Sequence, residues 1–161
     1  MMFEIERRFL CRITDPRTLA GASRRHAIRQ GYLTTDGPAV RIRDRGGEYF
    51  LTIKSGFGRV RREVEVPVDP DAGEVLFEMT GNHRLEKVRY VLGPWEIDVF
   101  QGKLAGLVLA EIELDDENDP LPPPPAGIAL LREVTDDAAF TNQRLAMLRP
   151  EEAEALVREN P

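Results

Sequence analysis

The chain has 161 residues, 42% of them hydrophobic and 31% charged, with a formal net charge of -6 and a pI near 5.1. That length and balance fit one globular domain over 1–161, and the acidic total excludes a general nucleic-acid binder, which needs a basic footprint. The single cysteine, Cys11, excludes an intramolecular disulfide and a cysteine-built zinc site; it reads as a small buried hydrophobe at a strand end.

In chain order, period-2 alternation predicts strands at about 2–10, 27–34, 38–45, 48–54, 61–68, 84–92, 95–100 and 107–114. Glu4 and Glu6 stand where a secretory signal needs apolar residues, and no apolar run is long enough to span a membrane, so a cytoplasmic protein is expected. Turn signals at 35–38, Gly46-Gly47 and Gly93-Pro94 suit antiparallel hairpins. Residues 69–80 read as a helix, with Pro70 early, Val75, Leu76 and Met79 on an apolar stripe, and Gly81 beyond. The proline run 122–125 is an extended connector, and 142–148 and 150–159 read as short helices. Gly56-Phe57-Gly58 lacks the third glycine and the helix of a dinucleotide loop and reads as a flexible loop at one end of the sheet. Trp95 reads as turn or core packing. His26 and His83 leave little material for a catalytic triad or a histidine metal site.

Successive strand residues face opposite sides of a sheet, so parity separates two surfaces. One parity carries Glu4, Glu6 and Arg8; Arg41 and Arg43; Lys54; Arg61, Glu63 and Glu65; Lys87 and Arg89; Asp98; Glu111 and Glu113. The other carries Ile5, Phe9, Ile42, Ile53, Val64, Val88, Ile97, Val99 and Ile112. If the sheet closes with charges inside, its apolar faces lie outside and need cover, for which 69–80 and 142–159 are the candidates. Unpaired buried charge costs several kcal/mol per ion by the usual estimate, so a water-filled or ligand-filled interior is expected. Basic residues are also concentrated: between Arg24 and Arg62 ten Lys or Arg stand against three acids, which suits a small anionic ligand.

The opening Glu4-Ile5-Glu6-Arg7-Arg8 resembles the ExExK signature of the CYTH superfamily, the triphosphate tunnel metalloenzymes. Gln30-Gly31-Tyr32-Leu33, Val40-Arg41-Ile42-Arg43, Leu51-Thr52-Ile53-Lys54, Arg61-Arg62-Glu63-Val64-Glu65, Glu86-Lys87-Val88-Arg89-Tyr90, Glu96-Ile97-Asp98-Val99-Phe100 and Glu111-Ile112-Glu113 follow in that family's order, as does Glu133-Val134-Thr135 before Asn142. The resemblance covers about residues 2–148 and is to the short bacterial, inorganic-triphosphatase-like members. It implies an α+β fold: a closed eight-stranded antiparallel β-barrel, with helices packed outside and the C-terminal pair at about 142–159 on or beside the barrel.

It further implies that Arg8, Arg41, Arg43, Lys54, Lys87 and Arg89 hold phosphate, with Arg61 behind them. Glu4, Glu6, Glu111 and Glu113 would hold Mg²⁺ or Mn²⁺, with Glu63, Glu65 and Asp98 behind. Arg and Lys suit phosphate, and carboxylates suit hard divalent ions, independently of any family. In the family's inorganic triphosphatases a Lys and a Tyr act on the attacking water; Tyr32 matches the tyrosine, but Arg8 occupies the lysine position, and an arginine does not serve as a general base. The implied activity is metal-dependent hydrolysis of tripolyphosphate to pyrophosphate and phosphate. Three readings stay open beside it: a class IV adenylate cyclase, a thiamine triphosphatase, and a catalytically weak module that binds polyphosphate or nucleotides because of Arg8. No nucleic-acid or membrane partner is expected, and a homodimer is expected by analogy alone.

Overall fold

The computed structural model describes residues 2–56 and 60–161, the first three of them by backbone alone. The strands are β1 (Met2–Ile13), β2 (Arg24–Tyr32), β3 (Ala39–Arg45), β4 (Glu48–Ser55), β5 (Val60–Val68), β6 (Arg84–Leu92), β7 (Trp95–Gln101), β8 (Val108–Glu113) and β9 (Ile128–Glu133); the helices are α1 (Pro70–Glu78), α2 (Asn142–Met147) and α3 (Pro150–Glu159). Every pairing is antiparallel, and the ring runs β5-β4-β3-β2-β6-β7-β8-β1 before β1 returns to β5. The eight-stranded closed barrel expected from the sequence is therefore formed.

β1 closes the ring because it is long enough to use two partners on one edge. Met2 to Ile5 pair with β5, while Phe9 to Ile13 pair with β9 on the edge that β5 has left. A register irregularity between Leu10 and Cys11 bends the strand as it leaves the ring. The sequence reading missed β9. Its residues Ile128-Ala129-Leu130-Leu131-Arg132-Glu133 show no clean alternation, because β9 lies outside the ring with neither a fully solvated nor a fully buried face.

Two of the outer apolar faces are covered, each by different means. Phe9, Cys11, Trp95, Ile97, Ala110 and Ile112 on the outside of β1, β7 and β8 pack beneath Leu114, Leu121, Ile128 and Leu130 of the chain leading into β9. Trp95 packs edge-on to Phe9, and its indole donates to the Pro123 carbonyl at 3.0 Å, so the proline connector caps it. The outside of β3 and β4 is covered by α1, through Ile42, Tyr49 and Phe77. That helix begins where expected, with Asp69 capping the Ala72 amide and Pro70 in the first turn. Gly31 and Gly73 allow it to sit close: a Cβ on Gly31 would lie 2.5 Å from the Thr80 hydroxyl, and one on Gly73 would strike the Tyr49 ring.

The C-terminal helices do something else. Leu145 and Ala146 of α2 and Ala153 of α3 pack with Leu10, Leu85, Phe100 and Leu109, which have the same parity as the charged residues and so point inward. Thus α2 and α3 lie across one end of the barrel and fill part of it, instead of covering an outer face. Lys103 fixes them there by donating to the Ala146 and Leu148 carbonyls at 2.6 and 2.7 Å. The outer face of β4 and β5, with Ile53, Val64 and Val66, is left exposed.

Candidate active site

The interior holds a cavity of about 620 Å³ that opens between the β2–β3 link, Ser55-Gly56 and the start of α2. A second, of about 440 Å³, opens at the opposite end of the strands by Arg24, His26 and the Gly93-Pro94 turn. Arg89 and Glu96 line both, so the two meet inside the barrel. Phe57 and Gly58 of the loop expected at the mouth lie outside the described residues; Gly56 lines the larger cavity.

The strands bring most of the sequence-selected residues to this space. Tyr32, Arg41, Arg43, Lys54, Arg61, Arg89, Glu6, Glu63, Glu65 and Glu111 line the larger cavity, and Glu113 lines the smaller. Arg8, Lys87 and Asp98 are buried in the wall behind them. The Glu4 side chain lies outside the described residues; its backbone pairs with that of Arg61.

Antiparallel register sets acids against bases. Asp98 receives Lys87 at 2.6 Å and Arg89 Nε and Nη2 at 2.7 and 2.9 Å. Arg89 lies 3.5 Å from Glu96 and 3.9 Å from Glu111, and Arg8 Nε lies 3.5 Å from Glu111. Glu6 pairs with Arg61, Lys54 stands 4.0 Å from Glu63, and Arg41 stands 3.6 Å from Glu65. Thr52 joins the last pair, accepting from Arg41 at 3.1 Å and donating to Glu65 at 2.9 Å. Arg8 is further tied through its Nη1 to the Phe140 carbonyl at 2.5 Å, just before α2.

The cations also crowd one another, Arg43 most clearly. Burial, then Arg41 and Arg89, pushes the Arg43 guanidinium down to about 9, where it is still charged at neutral pH. Burial likewise pushes Lys87 down to about 7; Asp98 opposes this, and Arg89 and Arg43 add to it. Burial favours neutral Asp98 and Glu111, but Arg89 and Lys87 outweigh it at Asp98, and Arg89, Arg8 and Lys87 do so at Glu111, holding both carboxyls well below the usual range. Glu96 goes the other way, raised first by burial and then by Glu111, with Arg89 opposing. Four buried guanidinium nitrogens, Nε and Nη2 of Arg8 and Nε of Arg41 and Arg61, have no hydrogen-bond partner among the described residues. Buried donors of that kind are costly to leave unmade, and phosphate oxygens are their natural acceptors.

Sequence reasoning missed Glu96, Gln30, Thr52 and Asn142. Glu96 and Thr52 were readable, each two residues from a selected inward residue; Gln30 likewise precedes Tyr32 by two. Asn142, whose side chain accepts from Lys87 at 3.4 Å, reaches the wall only through the fold of α2. Among the described residues, no group of three or more acids, histidines or cysteines is close enough to hold a metal ion unaided.

A closed antiparallel barrel lined by cations and carboxylates is a charged tunnel. The chain belongs to the CYTH family: the CYTH domain model matches residues 2–120. It is 40% identical over 162 residues to the inorganic triphosphatase of Nitrosomonas europaea, covering 92% of this chain and all of that one. It is 36% identical over 150 residues to the inorganic triphosphatase of Acetivibrio thermocellus, covering 88% and 92%. Among solved structures it is similar to a crystal structure of an inorganic triphosphatase, with 39% identity and a TM-score of 0.64 over 91% of this chain and 99% of that one.

Proposed function

We propose that this protein is a metal-dependent hydrolase of inorganic tripolyphosphate, releasing pyrophosphate and phosphate inside the tunnel. The observation that carries the proposal is the cluster of cations around the 620 Å³ cavity, with buried guanidinium donors that lack hydrogen-bond partners among the described residues. A linear polyanion relieves their mutual repulsion and fills those donors. Arg41, Arg43, Lys54, Arg61 and Arg89 hold phosphate oxygens from the cavity wall, and Arg8 and Lys87 add charge from behind. Asp98 serves as counter-ion to Lys87 and Arg89.

The acids fit a divalent ion in donor type. Glu6 faces Glu113 across β1 and β8, and Glu111 faces Glu96 across β7 and β8. Mg²⁺ takes few carboxylates directly and completes its shell with water and phosphate oxygens, which agrees with a site that protein alone does not complete. Glu6, Glu111 and Glu113, with Glu4, would hold Mg²⁺ or Mn²⁺, with Glu63 and Glu65 in reserve. The ion would supply charge neutralisation on the phosphate chain. Phosphoryl transfer asks of the protein mainly positioning and charge stabilisation, which this lining offers.

Arg8 favours a second reading, binding without efficient turnover. Its guanidinium offers donors only and is engaged with the Phe140 carbonyl, so it does not serve as the base on water. Purified protein given tripolyphosphate, ATP, thiamine triphosphate or long-chain polyphosphate, each with Mg²⁺ or Mn²⁺, separates these readings by ³¹P NMR of the products. Pyrophosphate and phosphate from tripolyphosphate are expected. Tight binding with no product establishes the second reading, and preference for ATP with cyclic product overturns both.

A further inference from the structure

Gln30 lies two residues before Tyr32 on the inward face of β2 and is completely buried. Its Nε2 donates to the Tyr32 hydroxyl oxygen at 3.0 Å, and its Oε1 accepts from Arg43 Nε at 2.9 Å. A side-chain amide has nearly the same shape either way round, but a guanidinium has donors only. Arg43 therefore fixes Oε1 toward itself and Nε2 toward the tyrosine. In that bond the Tyr32 oxygen is the acceptor, so its own proton must point elsewhere. Among the described residues, the Tyr32 hydroxyl donates to no acceptor. The ring is packed among Leu85, Phe100 and Leu145, while Tyr32 also lines the larger cavity, so the cavity is the direction left to that proton.

We infer that Gln30 is a positioning residue which, backed by Arg43, sets Tyr32 as a hydrogen-bond donor to a phosphate oxygen of the bound triphosphate. The inference rests on the triphosphatase reading and sharpens it: Tyr32 gives a hydrogen bond to the substrate and does not take a proton from water. Register supports the arrangement, since Gln30 faces Arg43 and Tyr32 faces Arg41 across β2 and β3, placing the donor chain beside two phosphate-binding arginines.

Two variants, each made alone and in a Tyr32→Phe background, test it. Gln30→Glu puts an acceptor opposite the hydroxyl and draws the phenolic proton away from the cavity; Gln30→Met keeps length and removes both bonds. Each should lower the single-turnover rate on tripolyphosphate by roughly ten-fold, the scale of one lost hydrogen bond, with little change in KM. In a Tyr32→Phe background neither should cost anything further, because coupling through one hydroxyl is non-additive. Full additivity would mean that Gln30 acts only on the structure and overturns the inference. A readout free of turnover uses tyrosine labelled with ¹³C at the ζ carbon, the Tyr32 signal being identified by its loss in Tyr32→Phe. Tripolyphosphate should move that signal in the parent and not in Gln30→Glu. Equal movement in both overturns the inference even where hydrolysis stands. A parent that binds without hydrolysing overturns the triphosphatase reading and leaves the NMR comparison to decide this one; a parent that does not bind tripolyphosphate sinks both.

Discussion

Asp98 is the residue on which the wall of the tunnel depends. It is buried and bonded to Lys87 and to Arg89 Nε and Nη2, so its loss takes from two buried cations their nearest carboxylate. Removing one partner of a buried ion pair typically costs about 3–5 kcal/mol; Asp98→Asn should therefore lower the urea midpoint sharply, measured by circular dichroism at pH 7. Its carboxyl is held low in the fold, so its contribution is present above the unfolded value of about 4 and is lost as pH falls below it. Lys87 carries the opposite sign. Its folded pKa is about 7, below the unfolded value of roughly 10.4, so the unfolded chain binds the extra proton between these pH values, and stability from this group rises with pH across that window. Urea titrations at pH 7 and 9.5 should show that rise in the parent and a smaller one in Lys87→Met. At position 8, Arg8→Lys restores a tunable amine and should raise kcat on tripolyphosphate with little gain in affinity, at the low end of the ~10² to 10⁴-fold typical of general-base assistance. A variant slower than the parent would mark Arg8 as an effective part of a different mechanism.

The helices act at two different surfaces, and their anchors differ accordingly. α1 is held against the outside of the barrel by Arg29, which bridges Asp44 and Glu74 at 2.6 Å each and lies over the Phe77 ring at 4.2 Å. Its approach leaves no room for a side chain at Gly73. Gly73→Ala gains in helix propensity but overpacks Tyr49, and overpacking of this kind costs about 1–3 kcal/mol, so a lower thermal midpoint is expected. α2 is held across the end of the barrel by Lys103, whose ammonium serves the two carbonyls that end the helix. Lys103→Met should raise amide hydrogen exchange in α2 and α3 and leave that of β3 and β4 unchanged. Uniform acceleration throughout the chain would show that α2 is not a separable unit.

Closure makes the molecule respond to an anion as a whole. Charged inward pairs tie β1 to both β5 and β8, β4 to β5, and β6 to β7, through Glu6 and Arg61, Arg8 and Glu111, Lys54 and Glu63, and Arg89 and Asp98. An anion that relieves the crowded cations binds the closed barrel and not the unfolded chain, where the same residues are dispersed. At 100 times its dissociation constant such a ligand stabilises by about 2.7 kcal/mol, or on the order of 5–10 °C in Tm for a chain of this size. Tripolyphosphate should produce this shift in a thermal melt, and the shift should shrink as salt rises, because the interaction is between charges. A neutral nucleoside with the same effect would remove the case for a triphosphate tunnel.

Parity along the strands was legible from the sequence because a half-buried strand repeats every two residues, and that repeat alone separated Arg41, Arg43, Lys87, Arg89 and Glu111 from the apolar residues between them. The closed barrel was implied by the resemblance that the ordered charged motifs carry to the CYTH superfamily, and Asp69, Pro70 and Gly81 marked α1 by chemistry local to the helix ends. What the sequence did not disclose depends on contacts far apart in the chain. Inward positions turn apolar at Leu10, Leu85, Phe100 and Leu109 because α2 and α3, more than thirty residues further on, pack against that end of the barrel. β9 exists only because β1 outruns the ring and leaves an edge to be paired. Which acids neutralise which cations, and which donors are left for a ligand, was decided by cross-strand register and by packing distance, neither of which composition or spacing encodes. The residue types were thus set by the one-dimensional chain, and their partners by its closure in three dimensions.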